Sequence, residues 1–168
     1  AIEALEKIGK PDVLVGQFEI PMNVNEQVFS YAYKNGVETV LNPAPANKPS
    51  DILLQNTSWF IPNEIEFEEI YGDIFNENNL LLFAKNVDTN VVVTLGEKGC
   101  AYIENNSVKI IKADSVKAID TTGAGDAFVG AFSFALASKL DIEECLKLAL
   151  KKATDSVTKK GTQSSYKN

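Results

Sequence analysis

The residues best placed to do chemistry lie together in Ala118–Ala131, AIDTTGAGDAFVGA. A short β-like run ends at Ile119, Asp120-Thr121-Thr122 turns, and Gly123-Ala124-Gly125 leads directly into an apolar helix. Glycines there let the backbone approach a ligand closely, and the first amides of a helix have no internal partners. Such a helix start is a ready anion site, made of free N–H groups and a positive dipole end. Asp126 falls in the first helical turn, beside that anion. Like charges repel, so its carboxylate is not there to bind the anion. It suits a general base that takes a proton from an attacking hydroxyl, worth roughly 10²–10⁴-fold in rate. Spacing alone leaves an alternative open: a carboxylate that only steadies the helix dipole, worth about 0.3–1 kcal/mol.

Short β-like runs alternate with longer helical ones to hold this segment. Strands are expected at Asp12–Gln17, Val37–Leu41, Ser58–Ile61 and Val91–Leu95, with helices at Asn23–Asn35, Asn63–Tyr71 and Asn76–Asn86. A turn at Gly96–Gly99 precedes a hairpin through Cys100–Ile103 and Val108–Ile111. A nearly all-apolar helix follows from Ala124 to about Ser138, its Phe128, Phe132 and Phe134 expected in the core with Trp59. Asp141 caps a last helix, with Glu143 and Glu144 in its first turn and lysines towards its end, matching the dipole at both ends. Strands separated by helices predict an α/β fold with a mostly parallel central sheet and helices on both faces. No internal repeat, linker or charged tail breaks the chain, which reads as one compact unit.

Composition narrows the chemistry. The 168 residues carry a net charge of −7, with 16 cationic against 23 anionic side chains. That balance lacks the positive footprint of a nucleic-acid binder. Every cation is lysine; with no arginine and no histidine, this chain alone builds no histidine triad, no His-ligated zinc and no arginine finger. No apolar stretch is long enough to span a membrane. Cys100 and Cys145 stand far apart in apolar segments and read as reduced core thiols of a cytoplasmic protein. The first residues carry mixed charges and resemble no secretory leader, and the missing initiator methionine suggests a fragment or processed chain.

DTTGAGDAFVGAF closely resembles the second signature of the ribokinase-like (PfkB) carbohydrate kinases. Four further segments match in the order that the family shows. They are LNPAPA around Asn42–Ala46, PNEIE at Pro62–Glu66, TLGEKG at Thr94–Gly99 and GTQSS at Gly161–Ser165. No GxxxxGK[ST] loop occurs, so phosphate is not held in the P-loop manner.

The resemblance implies a ribokinase-like fold and ATP-dependent phosphorylation of a sugar hydroxyl, D-ribose first, giving ribose 5-phosphate. It implies Asp126 as the base and the amides of Gly123, Ala124 and Gly125 as an anion hole for the transferred phosphoryl group. Asn63, Thr94, Gly96, Glu97, Lys98, Gly99 and Gly125 would contact the nucleotide. Glu66 would act on Mg²⁺, through water. A K⁺ site would be built from Asp120, Thr122, Ser156, Lys159, Gly161 and Ser165, several through backbone carbonyls. Glu19, just after the first strand, would contact the sugar together with Asp126. A solvated Glu19 and a plain polar turn at GTQSS remain the alternatives. Near Leu150 some relatives offer adenine a polar contact that this chain lacks, which leaves base specificity open.

The family's first signature contains a Gly-Gly pair, and this chain has none. Residues 1–168 therefore read as the C-terminal portion of the fold, without the N-terminal sugar-pocket and lid region; the fragment alone is expected to be inactive. The full-length protein is implied to be a homodimer using ATP and a small sugar, with no nucleic-acid or membrane partner. Rival readings are a non-catalytic nucleotide-binding fragment, a kinase of the same family for fructose or adenosine, and a generic Rossmann-like domain. The last needs a glycine fingerprint after the first strand, where this chain has Phe-Glu-Ile-Pro.

Overall fold

Apolar runs with little polar alternation form the parallel strands, as in covered sheets, although in the first of them only Gly16 is buried and Val15 is 46% exposed. In the computed structural model, which describes residues 2–162, these are β1 (Val13–Gly16), β2 (Glu38–Leu41), β3 (Trp59–Phe60) and β4 (Asn90–Thr94). They pair parallel in chain order, with Val15 opposite Val40, Val40 opposite Trp59, and Phe60 opposite Val91. β5 (Cys100–Glu104) and β6 (Ser107–Ile111) complete a six-stranded sheet in the order β1-β2-β3-β4-β5-β6. Asn105 and Asn106 join the last two with positive φ at both positions, the geometry of a tight hairpin turn.

Seven helices are described: α1 (Ile2–Ile8), α2 (Met22–Lys34), α3 (Asp51–Gln55), α4 (Glu64–Tyr71), α5 (Glu77–Val87), α6 (Ala124–Ala137) and α7 (Ile142–Val157). The long helices and the six strands fall where the sequence puts them, to within a residue or two, but the β-like run expected to end at Ile119 is not a strand. The short α1 and α3 were not expected. α1 buries none of its residues, so no apolar stripe marked it in advance. No helix among the described residues is long and apolar enough to cross a membrane.

The chain reads as one unit in sequence, yet its contacts divide into two compact units. The first comprises Ala1–Val93 with Tyr102–Lys109. Its core centres on Phe67, whose ring lies 5.4 Å from Phe83 and 5.6 Å from Phe75, both edge-on. Such aromatic pairs contribute about 0.5–1.5 kcal/mol each beyond their buried area. The second comprises Thr94–Ala101 with Ile110–Asn168 and is built on α6 packed against α7. Phe128 and Phe132 stack in that contact and are buried with Cys145, Leu146, Ala149 and Leu150.

Two expectations for these helices need correction. Phe134 is 68% exposed and is not core. It follows Phe132 by two positions, about 200° around a helix, so both cannot face α7. Asp141 does cap α7, accepting from the Glu144 N–H at 2.9 Å. The helix then runs on to Val157, leaving the lysines in mid-helix and no basic residue in its last turn.

Candidate functional site

In the second unit, Ile119 and Asp120 both donate their backbone N–H to the Val157 carbonyl, at 2.7 and 3.2 Å. The Asp120 carboxylate then accepts from two backbone N–H groups, Thr122 at 3.0 Å and Gly161 at 3.1 Å. It thus ties the loop before α6 to the segment after α7. These bonds, that of Thr122 foremost, hold its carboxyl below the ordinary aspartate range. Because the folded value is the lower one, the tie is present above the ordinary value and is lost as acid takes the pH through the lowered one.

Gly123 follows at φ 80°, a left-handed conformation that a side chain would strain, and starts α6 with no side-chain cap. By contrast α3, α4, α5 and α7 are each capped by a side chain, from Ser50, Asn63, Asn76 and Asp141. The first turn of α6 is therefore open at Gly125, which is exposed and has nothing within 4 Å of where a Cβ would stand. Asp126 is exposed in the same turn. The Ala124 N–H is already directed to the Thr121 carbonyl, at a long 3.3 Å, so it is not the bare donor that the sequence suggested. The first bond within the helix runs from Ala127 N–H to the Gly123 carbonyl at 2.9 Å.

Among the expected cation ligands, Asp120, Thr122 and Gly161 are brought together by the bonds above. Ser156 is buried, and its hydroxyl donates to the Ala153 carbonyl at 2.7 Å. The Lys159 side chain is exposed, and its backbone N–H donates to the Ser156 carbonyl at 3.3 Å. Ser165 lies outside the described residues. No cluster of three or more acidic or cysteine side chains able to hold a metal occurs among the described residues.

The TLGEKG loop closes on itself. Leu95 N–H donates to the Gly99 carbonyl at 2.8 Å around a single 3-10 turn, Gly96–Lys98. Gly96, Glu97 and Lys98 are exposed, and Thr94 is half-buried. Gly99 is buried at φ 108°, and a Cβ there would stand 1.9 Å from the Ile111 carbonyl oxygen. Its missing side chain makes room for the protein's own backbone.

In the first unit, β3 ends at Phe60 and the chain passes through Pro62 into α4. Asn63 and Glu66 form a reciprocal cap there. Asn63 Oδ1 accepts the Glu66 N–H, and Glu66 Oε2 accepts the Asn63 N–H, both at 2.8 Å. The cap leaves Asn63 Nδ2 and Glu66 Oε1 to meet a ligand. Glu66 is only 8% exposed. Burial, aided by Glu69 and opposed by the bond from Asn63, raises its pKa above the ordinary glutamate value. Such a carboxylate gains most from a cation placed beside it. Glu19 is exposed in the turn just past β1.

Three amide side chains gather at these same strand ends: Gln17, Asn25 and Asn42. Nothing in the sequence marked Gln17 or Asn25, because their partners are distant along the chain. A cavity of about 730 Å³ opens instead at the start of β3 and β4, among Tyr33, Trp59, Lys85 and Tyr102.

Residues 5–168 match the model of the pfkB family of carbohydrate kinases. The chain is similar to a ribokinase of Haemophilus influenzae, 41% identical over 165 residues, covering 95% of this chain and 54% of the relative. It is also similar to a deoxyribokinase of Salmonella typhi, 36% identical over 169 residues, covering 97% of this chain and 55% of the relative. Among solved structures it resembles an Arabidopsis thaliana ribokinase complexed with ribose and ATP. That likeness has a TM-score of 0.85 at 28% identity and covers 92% of this chain and 52% of the other. The chain thus spans about half the length of the relatives it matches.

Proposed function

The chain belongs to the pfkB family of carbohydrate kinases, and on that premise we propose that it carries the phosphoryl-transfer half of an ATP-dependent pentose kinase. The observation that bears most weight is the start of α6: an uncapped helix N-terminus, open at Gly125, with the exposed carboxylate of Asp126 in the same turn. Asp126 takes the proton from the attacking sugar hydroxyl as the new P–O bond forms and the bond from the γ-phosphorus to the bridging oxygen breaks, releasing ADP. The open amides of the turn, Gly125 first, hold the charge that builds on the transferred group. Removing one such preorganised donor typically costs about 2.7–4 kcal/mol of barrier.

Magnesium fits the residues present. Mg²⁺ binds through one or two carboxylates, substrate phosphates and its own waters rather than in an all-protein cage. Glu66, a buried carboxylate with one oxygen left over from its cap, suits that sparse role, acting through water. The metal supplies neutralisation of phosphate charge, while Asn63 Nδ2 offers a donor to the same phosphates. Thr94, Gly96, Glu97 and Lys98 flank the nucleotide. K⁺ would bind beside Asp120 and shape the loop before α6 without touching substrate. The buried, free Cys100, whose pKa burial pushes up to about 12, and Cys145 suit a reducing compartment.

D-ribose is the first candidate sugar. The 36% identity to a deoxyribokinase supports 2-deoxyribose as the second. Asp126→Asn tests the mechanism in a version extended upstream to the length of the relatives. We expect turnover to fall by roughly 10²–10⁴-fold with ATP affinity nearly unchanged. Equal loss of both would show Asp126 to be structural instead.

A further inference from the structure

Three parallel strands end side by side in the first unit, and from the end of the middle one a single side chain reaches the ends of both neighbours. Asn42, the residue after β2, is only 8% exposed. Its Oδ1 accepts from Gln17 Nε2 at 2.8 Å, just past β1. Its Nδ2 donates to the Ile61 carbonyl at 2.9 Å, just past β3. Its backbone N–H donates to the Gly16 carbonyl at 3.0 Å, the last residue of β1. Asn25 of α2 extends the chain of amides by donating to the Gln17 carbonyl at 2.8 Å.

We propose that Asn42 is a positioning residue whose side-chain amide sets the exits of β1 and β3 together, and with them Glu19 on one arm and the Asn63–Glu66 cap on the other. The inference rests on the kinase reading above, in which those two arms serve the sugar and Mg²⁺–ATP. Glu19 stands two positions past Gln17, and Asn63 and Glu66 stand two and five positions past Ile61. A misplacement of about 1 Å in such a group costs on the order of 10²-fold in rate.

The chemistry of the site explains the amide. Facing a donor on one side and a carbonyl on the other, residue 42 must both accept and donate, which asparagine does and aspartate does not. The Asn25 Oδ1 is buried with no hydrogen-bond partner, which typically costs about 1–3 kcal/mol.

The test uses the upstream-extended protein and three variants. Asn42→Asp keeps the bond from Gln17 and turns the Ile61 contact repulsive, so it should raise the KM for Mg²⁺–ATP about tenfold or more. Gln17→Leu cuts the other arm and should raise the KM for the sugar while sparing that for ATP. Thr39→Val is the matched control. It removes a buried bond from Thr39 Oγ1 to the Asn56 carbonyl, 2.7 Å, near the opposite end of the same strand. That variant should lower the thermal midpoint and leave both KM values alone. If Asn42→Asp does not fold, Gln17→Leu set against Thr39→Val decides the matter. The proposal is overturned if the clamp variants lose thermal stability with kinetic constants like those of Thr39→Val. If the unsubstituted protein phosphorylates no sugar, the kinase reading has failed and the positioning role falls with it.

Discussion

Glu66 is almost buried, and burial holds its proton more tightly than water does. The folded pKa lies above the unfolded one, so the folded state binds the extra proton. Stability therefore falls as pH rises from the ordinary glutamate value through the raised one, and then levels off. At neutral pH the ionised carboxylate is a cost to the fold, offset in part by the bond it accepts from Asn63. Glu66→Gln keeps an acceptor for that bond and removes the charge. We expect a thermal midpoint at or above that of the unsubstituted protein at pH 7, with apparent Mg²⁺ affinity lower by roughly 10–100-fold. A lower midpoint with Mg²⁺ dependence intact would assign Glu66 to capping alone. The DTTGAGD segment was legible because every residue that it needs is contiguous. Asn42 stood in a recognised stretch, but its partners Gln17 and Ile61 lie 25 and 19 positions away, and only strand pairing reveals them.

The proposed chemistry falls on the first turns of helices and the loops around them, and two of those loops are shaped by glycine. At Gly99 both the positive φ and the Ile111 carbonyl exclude a side chain. Gly99→Ala should destabilise the chain by about 3 kcal/mol or more, read from denaturant unfolding. A shift under about 0.5 kcal/mol, ordinary for a surface site, would show that the loop can shift to make room. The loop before α6 is held at Asp120 and Gly161, and the K⁺ proposed above would bind beside it. Exchanging K⁺ for Na⁺ should lower turnover of the extended protein at unchanged ionic strength, and indifference to the exchange would remove the cation from the account. Elements were legible where periodicity and capping agreed, as in α4, α5 and α7. They were not legible in α3, a five-residue helix whose only signals are its cap at Ser50 and the acid next to it. β3 was expected to be longer than its two residues, because an apolar run does not say how much of it pairs.

At the scale of the molecule, the groups assigned to transfer divide between two compact units. Asp126, Asp120 and the 94–99 loop belong to one, and Glu19, Asn63 and Glu66 to the other. Continuity of pattern hid this division, since β4 passes from one unit to the next at Val93 and Thr94 without a linker. The chain spans about half the length of its relatives. Proximity accounts for a large share of transfer catalysis, and a base without a positioned hydroxyl does little. The most direct measurement is sugar-dependent ADP release in K⁺ and Mg²⁺ buffer. It would be made across a panel of ribose, 2-deoxyribose, fructose and adenosine, for this chain and its upstream-extended version side by side. The account predicts turnover with a pentose in the extended version and little in the chain alone. ATP binding by both with no phosphorylation of any acceptor would contradict it and identify a nucleotide-binding fragment instead.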